Sequence, residues 1–134
     1  MVKILIVDDE PDLDVLIQQR FRNEIAAGQY RFYFARDGEH ALKVVAKQQD
    51  IDIVASDLNM PQMNGFELLR ILHAKHPHIQ TMIVSAYSDM ENISLASQYG
   101  AAVFITKPIR FDDFEDKLKE LIKKLKKSDR KFAK

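Results

Sequence analysis

The sequence predicts an α/β fold, a parallel sheet between two layers of helices, on two observations. Five short apolar runs rich in β-branched residues recur along 134 residues, and each is followed by a stretch whose apolar positions have helical spacing. Strands that alternate with helices need right-handed crossovers, which lay helices on both faces of a parallel sheet. Composition bounds the rest. The length is that of one domain, 46% of the residues are hydrophobic, and four glycines and four prolines are too few for a low-complexity chain. With no cysteine there is neither a disulfide nor a thiolate metal site, so packing must hold the fold, in keeping with a reducing compartment. The longest apolar runs, Ile4–Val7 and Ala101–Ile105, are far shorter than the ~20 residues that cross a bilayer. The N-terminus enters a strand directly, so a soluble, cytoplasmic protein with no membrane contact and no secretion signal is expected.

The first strand is expected over Lys3–Val7. Pro11 stands where the first turn of a helix tolerates it, and Leu13, Leu16, Ile17, Phe21 and Ile25 give one apolar face up to Gly28, which ends that helix. A second strand covers Arg31–Ala35, in a segment unusually rich in aromatic residues that reads as a hydrophobic edge strand or a docking patch. Asp37-Gly38 then turns into a helix over Glu39–Gln48, with Ala41, Leu42, Val45 and Ala46 inward. The third strand, Ile51–Ser56, leads to Asp57 and an irregular loop holding Pro61, Asn64 and Gly65. The following helix carries Phe66, Leu68, Leu69 and Leu72 and stops before Pro77. A fourth strand spans Gln80–Ser85, and the helix over Met90–Tyr99 closes at Gly100. Ala102–Thr106 is the fifth strand, Lys107-Pro108 breaks it, and Phe111–Lys127 is a long amphipathic helix through Phe114, Leu118, Leu121, Ile122 and Leu125. Periodicity does not encode strand order. The common five-strand solution is the flavodoxin-like (βα)5 doubly wound sandwich, with its parallel sheet in the order 2-1-3-4-5.

The formal net charge is zero, but it averages two unlike parts. Residues 1–116 hold 18 acidic and 11 basic side chains, a net of −7, whereas residues 117–134 hold 9 basic and 2 acidic, a net of +7. The last expected helix ends at Lys127, so residues 1–127 read as the folded domain and 128–134 as a basic tail or linker stub.

Ligands of open α/β sheets bind beyond the carboxyl ends of the strands, at the switch point. Those positions are polar here: Asp8, Asp9 and Glu10 after strand one, Asp57 after strand three, Ser85 at the end of strand four and Lys107 after strand five. In the 2-1-3-4-5 order strands one and three are neighbours, which brings Asp8 and Asp9 close to Asp57. Carboxylates gathered in one crevice repel unless one is protonated or a cation is present. A hard divalent ion such as Mg2+ suits an all-oxygen set, and Lys107 suits pairing with a carboxylate or gripping a phosphoryl oxygen. Any one of these residues is as easily a helix cap or a turn residue; the joint pattern at one sheet edge is the signal. His40, His73, His76 and His78 fall on helix surfaces or a helix end, with no metal-ligand spacing.

The chain resembles the receiver domain of two-component response regulators over residues 2 to about 127. The resemblance rests on Val7-Asp8-Asp9-Glu10-Pro11, Asp57-Leu58-Asn59-Met60-Pro61 with Asn64-Gly65, Ser85-Ala86 and Lys107-Pro108, in order at the right strand ends. It implies that Asp57 accepts a phosphoryl group from a sensor histidine kinase or histidine phosphotransfer protein in a Mg2+-dependent reaction, with Mn2+ a possible substitute. It further implies that Asp9, Asp57 and the main-chain carbonyl of Asn59 bind the metal, with Asp8 acting through a coordinated water. Lys107 would pair with Asp57 and then with the phosphoryl group, and Lys107 and Pro108 would be joined by a cis peptide bond. Ser85 and Phe104 would form the switch, and Asn59 and Tyr87 would tune the lifetime of the aspartyl phosphate. The signalling face would be the fourth helix, fifth strand and fifth helix, offered to an output domain, a target protein or a second copy as a homodimer.

Competing readings are a phosphorylation-independent binding module on the same fold and an Mg2+-dependent aspartyl-phosphate hydrolase. The first is disfavoured because Asp57, both acids and Lys107 are present. The second is disfavoured because Asp8-Asp9-Glu10-Pro11 lacks the DxD spacing and no segment is left for a substrate cap. Direct nucleic-acid binding is not expected, because the basic end has a single aromatic residue, Phe132, and no helix-turn-helix or winged segment. The expected role is thus a phosphoacceptor signalling domain rather than an enzyme.

Overall fold

The computed structural model describes residues 1–48, 50–60, 63–86 and 90–132, with side chains through Leu125. Five strands alternate with helices: β1 (Val2–Val7), α1 (Pro11–Arg20), α2 (Arg22–Ala26), β2 (Tyr30–Ala35), α3 (Gly38–Lys47), β3 (Ile53–Asp57), α4 (Gly65–Lys75), β4 (Gln80–Ser85), α5 (Met90–Gln98), β5 (Val103–Thr106) and α6 (Phe111–Phe132). All neighbouring strands are parallel, in the order β2-β1-β3-β4-β5. The fold is the doubly wound flavodoxin-like sandwich.

Strand alternation sorts the core into two layers. Ile4 and Ile6 of β1, Ile53 and Ala55 of β3, and Met82 and Val84 of β4 pack with Leu13 and Ile17 of α1 and with Phe114, Leu118 and Leu121 of α6. Their neighbours Leu5, Val7 and Val54 face the other way, onto Ala41 and Val45 of α3 and Leu68 and Leu72 of α4. A smaller cluster of Leu58, Leu69, Ile83 and Ala96 sits under α5. Polar side chains cap two helices: Asp37 accepts from the His40 backbone N–H of α3 at 2.8 Å, and Asn64 accepts from the Glu67 N–H of α4 at 3.0 Å.

The segment after β1 departs from the sequence expectation. One helix was expected from Pro11 to Gly28, but the chain bends at Phe21, whose backbone lies at φ −106°, ψ 19°, and resumes as α2. Phe21 is fully buried, with its ring 5.4–6.0 Å from those of Phe32, Tyr30 and Phe114. The bend serves that aromatic contact. Ile25, beyond the bend, is 36% exposed, and Leu16, on the flank of α1 away from buried Leu13 and Ile17, is 48% exposed. The aromatic run of β2 is largely absorbed by the same cluster, since Tyr30, Phe32 and Phe34 pack on the α1–α6 side of the sheet. Gly28, at φ +73°, makes the turn into β2 as expected of it. Element ends shift by one or two residues: β1 and β2 each begin one residue earlier than expected, and β3 runs over Ile53–Asp57 instead of Ile51–Ser56. Helix α6 continues to Phe132, past Lys127. No helix among the described residues is long and apolar enough to cross a membrane.

Candidate functional site

The site lies at the carboxyl ends of β1, β3 and β5. Val7 pairs with Ser56 across β1 and β3, so the residues that follow emerge side by side. Asp8, Asp9 and Asp57 each place a carboxylate oxygen within 4.8 Å of the others. Asp8 and Asp57 are buried, at 3% and 8% exposure, while Asp9 is exposed. Local hydrogen bonds fix both buried acids. The Asp8 N–H donates to the Ala35 carbonyl at 3.0 Å, and its Oδ1 accepts from the Glu10 N–H at 2.9 Å. Oδ1 of Asp57 accepts from the Asn59 N–H at 3.3 Å.

Lys107 enters from the far side. Its N–H donates to the Ser85 carbonyl at 2.8 Å, and its bond to Pro108 is cis. Its Nζ reaches Oδ2 of Asp8 at 3.0 Å and Oδ2 of Asp57 at 3.2 Å, with Oε1 of Glu10 at 3.9 Å. One cation thus serves two buried carboxylates. Burial pushes the Asp57 carboxyl above the usual aspartate range; Lys107 pulls it down, and Asp8 pushes it up again. Burial pulls the Lys107 ammonium down, but its hydrogen bonds and charge contacts with Asp8 and Asp57 outweigh this and leave it raised. The two directions agree physically, because Lys107 draws on two acids whereas Asp57 has half a lysine and a like-charged neighbour.

Three acids against one lysine leave a local excess of negative charge in an all-oxygen donor set, with no histidine or thiolate nearby. That donor chemistry fits a hard divalent cation held by Asp8, Asp9 and Asp57. Among the described residues no histidine joins such a cluster. Nδ1 of His40 accepts from the Arg36 N–H at 3.3 Å, and the rings of His76 and His78 lie 6.2 Å apart.

Ser85 is fully buried at the end of β4, paired with Thr106 of β5 and one residue beyond Val84, the partner of Asp57. Phe104, on β5, is half-buried against the cluster of Leu58, Leu69, Ile83 and Ala96. Asn59 is exposed and lines a notch of about 260 Å³ with Asn64, Phe66 and Asn92. Tyr87 lies outside the described residues. On the opposite side of Lys107 a groove of about 440 Å³ runs between Leu13 and Leu16 of α1 and Pro108, Ile109 and Phe111.

Gly65 has a role that the sequence alone did not reveal. Its N–H donates to the Leu58 carbonyl at 2.9 Å, and a Cβ at this position would lie 2.7 Å from the Asp57 carbonyl oxygen and 2.9 Å from Leu58 Cα. Absence of a side chain lets the first turn of α4 press against the strand end that carries Asp57. The signal was present as Asn64-Gly65 directly before an apolar helix.

Residues 4–119 match the family model described as the response regulator receiver domain. The chain is 31% identical over 120 residues to the sporulation initiation phosphotransferase F of Bacillus subtilis, covering 90% of this chain and 93% of that protein. It is 31% identical over 126 residues to the transcriptional regulatory protein MalR of Bacillus subtilis, covering 94% of this chain but only 52% of MalR. The crystal structure of the response regulator TrrA from Thermotoga maritima, in complex with Mg2+ and BeF, matches with a TM-score of 0.75 at 30% identity, covering 90% of this chain and 99% of that one.

Proposed function

The chain belongs to the response regulator receiver domain family, and on that premise we propose that Asp57 is its phosphoacceptor, charged by a sensor histidine kinase or a histidine phosphotransfer protein in the cytoplasm. The observation that carries this reading is the position of Lys107, bridging Asp57 and Asp8 at 3.2 and 3.0 Å beside exposed Asp9. A carboxylate oxygen of Asp57 attacks phosphorus in line; the new P–O bond forms as the P–N bond to the donor imidazole breaks, and the electron pair leaves with the imidazole nitrogen. Asp9, Asp57 and the main-chain carbonyl of Asn59 are the proposed donors for Mg2+, or Mn2+, with Asp8 reaching it through a water; the ion supplies charge neutralisation at the phosphoryl oxygens. Lys107 moves from the Asp57 carboxylate to a phosphoryl oxygen, and the buried site keeps bulk water from the acyl phosphate. Asn59 and Tyr87 set how readily water attacks it.

Ser85 then donates its hydroxyl to the phosphoryl group, and Phe104 turns inward from its half-buried position. The face of α5, β5 and α6 carries the change to an output domain or target protein. MalR, about half of which the chain spans, supports an output region as one destination, whereas sporulation initiation phosphotransferase F, spanned almost entirely, supports a phosphorelay partner as another.

Incubation with acetyl phosphate and Mg2+ followed by intact mass measurement tests the central step. A gain of about 80 Da, the mass of one phosphoryl group, is expected for the wild type and not for Asp57→Ala. No adduct leaves a phosphorylation-independent binding module as the better reading, and an adduct that survives the substitution removes Asp57 as the acceptor.

A further inference from the structure

We propose that His76 and His78, on the turn between α4 and β4, form a two-imidazole chelate for a divalent metal ion of the zinc class. The proposal is independent of phosphoryl transfer, and its test does not use phosphorylation.

The segment His76-Pro77-His78 closes α4 and leads into β4. The His76 N–H donates to the Leu72 carbonyl at 2.7 Å, which ends the helix. The Ile79 N–H donates back to the His76 carbonyl at 3.0 Å, so residues 76–79 make a β-turn with Pro77 at its second position and His78 at its third. Proline fixes its own φ, and buried Ile79 with the Gln80 N–H, donating to the Asp52 carbonyl at 3.0 Å, anchors the far end of the turn to the sheet. The backbone that carries both histidines is therefore ordered before any ligand arrives, which lowers the entropy lost on binding. The donors meet across a turn and not along one helix face, so periodicity in the sequence does not reveal them.

The two rings lie 6.2 Å apart between centroids, with their planes at 79°. Metal–nitrogen bonds of about 2.0–2.1 Å put the centres of two imidazoles on one tetrahedral ion about 5 Å apart, and about 6 Å as the angle at the metal opens. A side-chain rotation of about an ångström at the ring tips closes that difference, and it is open to His78, which is exposed, and to half-buried His76. Among the described residues neither ring has a hydrogen bond or an ion pair to give up. His40 differs, because its Nδ1 accepts from the Arg36 N–H. His73 stands one turn back on α4, but its ring packs on Gly100, with Nδ1 3.0 Å from where a Cβ there would lie, and the chelate does not require it. Water fills the remaining positions on the ion.

Donor chemistry selects the metal. Imidazole nitrogen suits Zn2+ and the neighbouring late first-row ions, whereas Mg2+ and Ca2+ take oxygen ligands. The acidic edge at Asp8, Asp9 and Asp57 has the opposite preference. The two places are also far apart: β4 separates them, and its six residues span about 20 Å from the turn to Ser85. One can thus be titrated with the other filled.

The test is a Zn2+ titration of the full chain in excess Mg2+, followed through the histidine ring 1H–15N signals. One equivalent of Zn2+ should shift the rings of His76 and His78 together and leave that of His40 in place. His76→Ala and His78→Ala should each weaken Zn2+ binding about tenfold or more, and His40→Ala should leave it within about twofold. Circular dichroism checks the fold of each variant; should His76→Ala unfold, His78→Ala at the exposed position is read alone. The sedimentation mass should not change with Zn2+, because both ligands belong to one chain. Ring signals that stay in place in excess Zn2+, an affinity that survives the His78 substitution, or a zinc-dependent doubling of mass at one ion per two chains would overturn the chelate.

Discussion

Lys107 is shared between Asp8 and Asp57, so replacing it has a consequence that replacing a surface lysine does not. Lys107→Met leaves two buried carboxylates facing each other with no cation; in Mg2+-free buffer one of them should take up a proton at a higher pH than in the wild type. The shift is measurable by the Asp57 carboxyl 13C chemical shift against pH, and an unchanged titration of Asp57 would contradict the sharing. Gly65 sets a steric limit on the same site. A methyl group 2.7 Å from a backbone oxygen cannot be relieved by a rotamer change, so either α4 or the Asp57–Leu58 backbone must move. Gly65→Ala should cost about 1–3 kcal/mol of stability in urea unfolding and should slow the acetyl phosphate reaction. The methyl group of Gly28→Ala would meet nothing within 4 Å, so the strain there is confined to its positive φ and the phosphorylation rate should not change.

At the scale of elements, Leu16 of α1 is 48% exposed and lines the groove that reaches Lys107. If Asp57 is the phosphoacceptor as proposed, an exposed apolar side chain beside it suits the docking of a phosphodonor protein that brings a phosphohistidine to that carboxylate. Leu16→Asp removes an exposed side chain, so stability should change by no more than about 0.5 kcal/mol. Phosphotransfer from a histidine phosphotransfer protein should fall about tenfold or more, while the rate with acetyl phosphate should hold, because the small donor needs no docking face. Equal loss with both donors would place the effect in the chemistry and not in docking. The exposure of Leu16 was not legible in the sequence. Spacing places Leu16 beside Leu13 and Ile17 on α1, but at about 100° per residue it lies on the flank of that face, and which flank the sheet and α6 cover is set by packing between distant segments. Nor can local spacing report the bend at Phe21, whose aromatic partners lie on β2 and α6.

For the whole molecule, what was legible follows from what is local and what is not. The five strands are local patterns, and the sequence places their ends within a residue or two, whereas the break between α1 and α2 and the five further residues of α6 escaped it. The neighbourhood of Asp8, Asp9, Asp57 and Lys107 was legible because the parallel topology sends every strand end to the same edge. The close approach of Gly65 and the double use of Lys107 depend on packing between segments far apart in the chain and were not. The same topology makes the acidic edge a stability problem for the entire domain. Asp8, Asp9 and Asp57 meet there beside a single lysine that reaches Asp8 and Asp57, so folding gathers negative charge that the unfolded chain keeps apart. A cation that binds only the folded state offsets this and adds RT ln(1 + [L]/Kd), about 2.7 kcal/mol at a hundredfold excess over Kd. Thermal unfolding should therefore shift upward with Mg2+ in the wild type. Asp9→Asn, at an exposed position, should unfold at the same temperature or slightly higher without Mg2+, since it relieves repulsion and breaks no ion pair seen among the described residues. It should lose most of the Mg2+-dependent rise. A rise as large as that of the wild type would remove Asp9 from the metal site, and an apo form much less stable than the wild type would mean that Asp9 contributes to folding through contacts other than the cation.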